Sequence, residues 1–253
     1  MKHQEWGRYG STALISAATL IFEITLTRLF SLAEWYHLAF LSIAVALLGN
    51  AAGGTILALL PRPRRLFLFP WWGWSFPLSL VGAYLLFNAL PFDSYQLAWD
   101  PRQLGYLALQ YLGLVTPFIF GGLCLAQWLA LYPQETPLLY AANLAGSALG
   151  SLSLLGALPL LGGEGTVMAA VSLGALAAIL VEVGLAQQRS PLSSLRQGTA
   201  WAMVVAGLVL ATTRPTWLQL RLSPYKSLSQ HLAAGARQVV SWWNTFSRVD
   251  VVE

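Results

Sequence analysis

The feature that most constrains this chain is a succession of apolar stretches, each about as long as a lipid bilayer is thick. A membrane-spanning helix needs ~20 mostly apolar residues, and such segments follow one another along most of the 253 residues. They lie at roughly 11–32, 38–60, 67–90, 104–131, 138–161, 165–187 and 199–213. The sequence therefore predicts an all-α fold, a multi-pass transmembrane helix bundle of about seven spans within residues 1–213.

The composition agrees with a location in the membrane. Hydrophobic residues make up 57% of the chain and charged residues 9%, whereas soluble proteins average about 45–50% and about 25%. So few charges cannot cover the surface of a soluble domain of this size. This excludes an ordinary soluble enzyme, a disordered chain and a nucleic-acid-binding protein, and it makes the lipid bilayer the expected partner.

The basic residues fall in alternate connections between the apolar segments. If the N-terminus is cytoplasmic, the outside loops carry Arg102, and the inside segments carry Lys2, Arg8, Arg62, Arg64, Arg65, Arg189 and Arg196. Cytoplasmic loops of membrane proteins are enriched in Lys and Arg, so we expect a cytoplasmic N-terminus. Seven spans then leave residues 214–253 outside, although this segment begins with basic residues, so the side of the tail stays open.

Residues 214–253 form an extramembrane tail by composition. The stretch FSRVDVVE (246–253) alternates apolar and polar residues as a β-strand does. One strand cannot form a sheet without a partner, so we expect the start of an incomplete domain. The other polar stretch, DSYQLAWDPR (93–102), is too short to form a binding domain.

Two of the spans carry glycines four residues apart. The pairs are Gly49 with Gly53, and Gly146 with Gly150. Small residues at this spacing let helix backbones approach closely in lipid, so we expect helix-packing positions. A trace of an inverted repeat, as in transporters, is the alternative interpretation.

Ionisable residues at membrane depth are costly and often functional. Glu23 lies near the middle of the first span, and Arg28 follows five residues later, about 140° around the helix. Glu23 therefore needs a partner from another helix, or it is protonated. It serves either as a polar clasp between helices or as a transport or proton site. Possible partners are Asn50, Gln110, Gln127 and Asn143.

The glycine-rich run from Gly162 to Gly165 resembles the phosphate loop of a nucleotide-binding fold, with Glu182 about 20 residues further on. The helix that follows is apolar on every face, so we interpret the run as an interhelical turn and place Glu182 at the membrane interface. The chain has one cysteine, and its three histidines are widely scattered. We therefore expect no catalytic residue, no metal site and no cofactor in this chain.

Several segments, taken in order, resemble a known family. They are FEITLTRLFSL (22–32), ALLGNAAGG (46–54), LPFDSYQLAWDPRQLGYLAL (90–109), YAANLAGSALGSL (140–152) and LPLLGGEGTV (158–167), followed in the tail by SPYKSLSQ (223–230) and GARQVVSWWNTFSRVDVVE (235–253). Together they look like the membrane region of bacterial spermidine synthase-like integral membrane proteins. One departure is Asn143, where the pattern YAxDLxG has an acidic residue.

In that family a hydrophobic helical region precedes an aminopropyltransferase-like domain, which holds decarboxylated S-adenosylmethionine on a glycine-rich loop and deprotonates the amine with a carboxylate. Neither part matches a position here, and both would follow residue 253. The resemblance thus implies a membrane anchor or scaffold connected with polyamine biosynthesis. It would lie in the bacterial plasma membrane, with other membrane subunits or a separate soluble domain as partners. A small-solute or cation transporter or channel, and an accessory subunit of a larger membrane complex, are the alternatives.

Overall fold

The computed structural model describes residues 2–34, 39–185 and 193–253. The chain is mostly helical. Parts of two expected spans, 38–60 and 165–187, lie outside the described residues. Arg189 also lies outside them. The helices are α1 (Lys2–Ala33), α2 (Ala39–Leu59), α3 (Arg62–Ala89), α4 (Arg102–Leu131), α5 (Thr136–Gly184), α6 (Ser193–Thr213) and α7 (Ser227–Ala233), and the strands are β1 (Gln238–Trp243) and β2 (Arg248–Val252).

Five of the described helices, α1, α2, α4, α5 and α6, are long and apolar enough to cross a membrane. The bundle expected from the apolar segments is therefore present, but the seven expected spans do not match these helices one for one. The third expected span is helical as α3, which is not among the five because its Trp, Pro, Gly and Ser residues lower its hydropathy. The fifth and sixth expected spans lie together within α5.

Helix α5 is 49 residues long, which would extend to ~73 Å if it were straight. That is more than twice the ~30 Å hydrocarbon core of a bilayer. The helical geometry is interrupted at Gly162, where φ is 67° and ψ is 177°. A side chain is strained at such a positive φ, and glycine is not. Gly162 thus divides α5 into a first half (136–161) and a second half (163–184).

The first half of α5 runs in the same direction as α1. A Cβ on Gly146 would meet the carbonyl oxygen of Ala13, and a Cβ on Gly150 would lie 2.7 Å from that of Ala17. Because residue numbers rise together along both helices, the two segments are parallel.

The second half of α5 runs in the opposite direction. Gly163 lies against Leu29 near the end of α1, and Gly184 lies against Gly7 near its beginning. The chain therefore reverses at Gly162, which is the interhelical turn that the glycine run predicts.

The described bundle has two ends, and the turn at Gly162 lies at one of them. We call one the N-terminal end, where Arg8 of α1 bonds to Glu135 before α5, 2.8 Å apart. We call the other the tail end, where the end of α1, the 90–101 connection, the turn at Gly162 and the tail (214–253) meet. Glu164 after that turn accepts a hydrogen bond from the backbone N–H of Leu220, 3.2 Å away. The N-terminus and the tail thus lie at opposite ends.

Aromatic side chains fill the interior between α1, α3 and α4. The Phe22 and Phe118 rings lie 5.8 Å apart and the Phe69 and Trp128 rings 4.7 Å apart. Trp128 is fully buried, and its indole N–H donates to the Ser11 hydroxyl over 3.0 Å. The outer faces expose large apolar side chains, including Leu47, Leu59, Leu112, Leu149, Leu160 and Leu208. An apolar interior with an apolar exterior is what contact with lipid requires.

The tail ends in an antiparallel hairpin of β1 and β2, in which Trp243 pairs with Arg248 and Ser241 with Asp250. The strand expected within 246–253 is confirmed as β2. Its partner β1 was not expected. Trp243 at the end of β1 is buried against Gly162 and Gly163, so the hairpin rests on the turn of α5.

A prediction follows from the contact between α1 and the first half of α5. Gly146→Ala places a methyl group against the Ala13 backbone, so we expect a loss of about 1–3 kcal/mol of stability from overpacking. Gly156 of the same helix has open space around it, and Gly156→Ala should instead stabilise by up to ~1 kcal/mol. Thermal unfolding in detergent measures both. Equal effects of the two variants would contradict this packing.

Candidate functional site at the tail end of the bundle

Glu23 is half-buried in α1, and its side chain has no hydrogen bond or ion pair among the described residues. Its backbone carbonyl accepts the Thr27 hydroxyl over 3.0 Å, an ordinary contact within the helix. The Nε atom of Arg28 is buried without a partner. The structure therefore does not pair Glu23 with Arg28.

The amide side chains proposed as partners of Glu23 are engaged elsewhere or unpaired. Asn50 donates to the carbonyl of Ala46 in its own helix, 3.0 Å away. Asn143 accepts the Ser16 hydroxyl over 2.6 Å, which ties α5 to α1. Gln127 is buried, and its Oε1 atom has no partner. In the part of the chain that the structure describes, these residues do not gather around Glu23.

Glu182 forms an ion pair with Arg196 of α6, with 2.5 Å between Oε1 and Nε, and both side chains are nearly buried. The Arg196 guanidinium also lies over the Trp71 ring, 5.1 Å from its centre. This pair connects α5, α6 and α3 near the N-terminal end. Since its charges are satisfied within the protein, Glu182 has a packing role there.

The paired glycines lie at close helix contacts. Gly49 and Gly53 of α2 face α4, where a Cβ on Gly53 would lie 2.7 Å from the Ile119 carbonyl oxygen. Gly146 and Gly150 face α1, as described above. These contacts bring backbones together and leave no room for a ligand.

One group of buried polar side chains lies at the tail end, in segments distant in sequence. Glu34, Asp93, Gln103, Gln110 and Ser223 are each at most 6% exposed. None of them was among the candidate site residues, apart from Gln110 as a possible partner of Glu23. The signal in the sequence is the polar stretch 93–102, which is too short to form a binding domain but contributes Asp93 to this group.

Hydrogen bonds link the first of these groups into a network. Glu34 accepts both the Ser94 hydroxyl, at 2.6 Å, and the Ser94 backbone N–H, at 3.1 Å, on one carboxylate oxygen, Oε2. Asp93 accepts the Tyr95 backbone N–H at 3.0 Å and the Ser223 hydroxyl at 3.3 Å on Oδ1. The Asp93 backbone N–H donates to Gln103 Oε1 over 2.9 Å. One oxygen of each carboxylate is thus fully engaged.

The tail is held against this end of the bundle at its backbone. The Ser223 N–H donates to the Ala33 carbonyl over 3.1 Å, and the Tyr84 hydroxyl donates to the Leu218 carbonyl over 2.6 Å. The Asn88 side chain donates to the Gln219 carbonyl and accepts the backbone N–H of Arg221, each over 2.7 Å. Two side chains of α3 and the last carbonyl of α1 thus hold residues 218–223 of the tail against the bundle.

Burial changes the titration of two charged groups at the tail end. The pKa of Glu34 is raised above its usual range, first by desolvation and then by the nearby charge of Asp93, while the bonds from Ser94 oppose this. The pKa of Lys226 is lowered by desolvation, and the attraction of Glu34 opposes that shift. Glu34 and Lys226 thus both lie in a poorly solvated part of the tail end.

Two cavities lie where the tail meets the bundle. The larger, of about 600 Å³, is bordered by the β-hairpin and the end of α6, and its polar lining includes Glu164, Arg214, Gln238, Ser241 and Arg248. The smaller, of about 260 Å³, lies between Glu34, the 90–101 connection, α4 and residues 221–224. The arrangement can therefore accommodate small polar molecules at the surface of the bundle.

Comparisons with protein-family models, with curated proteins and with solved structures found no match to this chain. Within the described ranges, no group of three or more His, Cys, Asp and Glu is placed to hold a metal ion.

The raised pKa of Glu34 predicts how stability depends on pH. The folded protein holds the Glu34 proton at a higher pH than the unfolded chain, whose value is near 4.5. Its contribution is therefore fully present below that value and is lost as pH rises through the folded-state pKa. Thermal unfolding of the wild type and of Glu34→Gln, followed upward from about pH 4, should show the wild type losing stability relative to the variant. A constant difference would contradict the burial of this carboxylate.

Proposed function

We propose that this chain is the membrane-embedded anchor of a spermidine synthase-like protein, and that it holds its tail at the membrane surface opposite the N-terminus. The N-terminus is cytoplasmic, in the bacterial plasma membrane, and the partner is another membrane subunit or a separate soluble domain. The proposal assigns no catalytic residue to this chain.

The observation that carries the proposal is the way in which the tail is fixed. Its backbone is bonded to α1, α3 and the start of the second half of α5. The β-hairpin in turn packs Trp243 on the turn at Gly162. A domain attached to this hairpin would keep one position and orientation relative to the membrane.

The family resemblance supports the same assignment. Two of the segments that carry it, 90–109 and 158–167, supply Asp93, Gln103 and Glu164 to the tail end, and a third is the tail itself. Some of the segments that resemble the family therefore contribute to the contacts that hold the tail.

Seven crossings are the topology that fits this anchor. The reversal at Gly162 makes two passes from α5. Helix α3 runs from the N-terminal end, where Phe69 meets Trp128, to the tail end, where Phe87 meets Phe30 with ring centres 4.8 Å apart. Helix α3 thus runs the length of the bundle, and an odd number of passes separates the N-terminus from the tail.

A transporter or channel is the second candidate, and it rests on the unpaired side chain of Glu23 in mid-helix. Neither of the two cavities described above is lined by Glu23. Uptake of a solute into liposomes that is abolished by Glu23→Gln would favour transport over anchoring.

Spin labels test whether the tail is fixed. With Cys124 replaced by Ala, labels at the exposed positions Leu112 and Phe246 should give one narrow distance distribution in nanodiscs. Combining Tyr84→Phe with Glu164→Ala removes hydrogen bonds worth about 1–3 kcal/mol each when a partner is left buried, so the distribution should broaden.

The matched control combines Tyr140→Phe with Glu5→Ala, two exposed positions of the same residue types, and should keep the narrow distribution. A broad distribution in the unmodified chain would show that the tail is only tethered, and the anchor proposal would fail.

A further inference from the structure

We propose that the smaller cavity at the tail end, of about 260 Å³, binds a primary ammonium group of a small organic cation. We call it the acceptor cavity. It is lined by Glu34, Asp93 and Gln110, and by Arg221 from the tail. The proposal does not depend on the anchor function, because it concerns a ligand and not the position of the tail.

The acceptor cavity contains buried oxygens that lack donors. Asp93 Oδ2 and Gln110 Oε1 are buried and have no hydrogen-bond partner. Gln110 is 3% exposed, and its side chain makes no hydrogen bond within the described residues. The second carboxylate oxygen of Glu34, Oε1, is likewise outside the bonds to Ser94. Buried polar atoms are nearly always satisfied in folded proteins, so a donor belongs here.

The chemistry of these oxygens identifies the donor. Carboxylate and amide oxygens accept hydrogen bonds, and a primary ammonium carries three N–H donors and no acceptor. Two such oxygens, Asp93 Oδ2 and Gln110 Oε1, belong to residues that line one cavity, so a single ammonium group could donate to both and keep a third N–H for Glu34. A hydrogen bond between charged partners is also stronger than one between neutral groups.

The missing partner of Asp93 indicates a cation. The ion pairs of the described chain join Arg8 to Glu135, Arg196 to Glu182 and Arg248 to Asp250. Asp93 is therefore buried without an ion-pair partner in the described part of the chain. A buried unpaired carboxylate is costly, and one bound cation would neutralise it.

The nearest other cation does not fill this role. The Lys226 ammonium donates from Nζ to the carbonyl of Ser31 over 3.2 Å. It is not in any of the three ion pairs of the described chain. Its charge is thus directed at the end of α1 and not at the free oxygens of the cavity.

The size and walls of the acceptor cavity favour an organic cation over a metal ion. Its volume of about 260 Å³ corresponds to about nine waters at ~30 Å³ each, which exceeds the space that a bare ion occupies. Ala33, Phe87, Leu90 and Phe92 contribute apolar surface to its lining. Apolar walls beside a cluster of acceptors suit an alkyl chain that ends in an ammonium, and aromatic rings attract cations.

The chain contains a matched control for Gln110. Gln127 lies on the same helix, is equally buried, and also has an Oε1 atom without a partner, but it does not line the acceptor cavity. If the unpaired oxygen of Gln110 were only a tolerated packing defect, replacing either glutamine would have the same effect on ligand binding.

The test is a titration of the purified full chain with methylammonium chloride. Calorimetry measures the binding affinity, and thermal unfolding at each concentration measures the shift of the midpoint. Tetramethylammonium chloride supplies the same charge without N–H donors, and potassium chloride supplies an inorganic cation. We expect methylammonium to bind and to raise the midpoint, and neither comparison salt to do so at equal concentration.

Gln110→Leu and Asp93→Asn should each weaken methylammonium binding at least about tenfold, as expected for the loss of a hydrogen bond to a charged group. Gln127→Leu should bind like the wild type. Both Leu variants should fold, because each removes an unsatisfied buried oxygen, and Asp93→Asn keeps the oxygen that bonds Tyr95 and Ser223. Equal stabilisation by potassium or tetramethylammonium, or unchanged affinity in Gln110→Leu, would overturn the proposal.

Discussion

The reversal of the chain at Gly162 is the constraint on which the rest of the structure depends. The backbone there adopts φ 67° and ψ 177°, and the turn is crowded by Trp243 and by Arg214. Because the second half of α5 runs back along α1, this one residue allows α1 to be packed on two sides by the same helix. It also brings the beginning of the second half, with Glu164, to the end of the bundle where the tail lies.

The two ends of the bundle differ in how their charges are satisfied. At the N-terminal end, Glu135 and Glu182 are paired with Arg8 and Arg196, so the charged groups there stabilise contacts between helices. At the tail end, buried carboxylates bind backbone and hydroxyl donors instead of arginines, and some of their oxygens remain free. The proposed binding and attachment therefore belong to the tail end, whereas the charged groups at the N-terminal end serve helix packing.

Local patterns in the sequence predict much of the fold, because hydrophobic length and glycine placement act within single helices. The apolar segments coincide with helices, the run at Gly162 is a turn, and the alternation near the end of the chain is strand β2. The tail-end site was missed because Glu34, Asp93, Gln110 and Ser223 come from four separate segments that only tertiary packing brings together.

The most direct test of the reversal at Gly162 is the side of the membrane on which each terminus lies. Reporters that are active on only one side can be fused before residue 1 and after Glu253 in otherwise unchanged chains. The account predicts a cytoplasmic N-terminus and a C-terminus on the opposite face. Both reporters active on the same face would mean an even number of crossings and would contradict both the topology and the position of the tail.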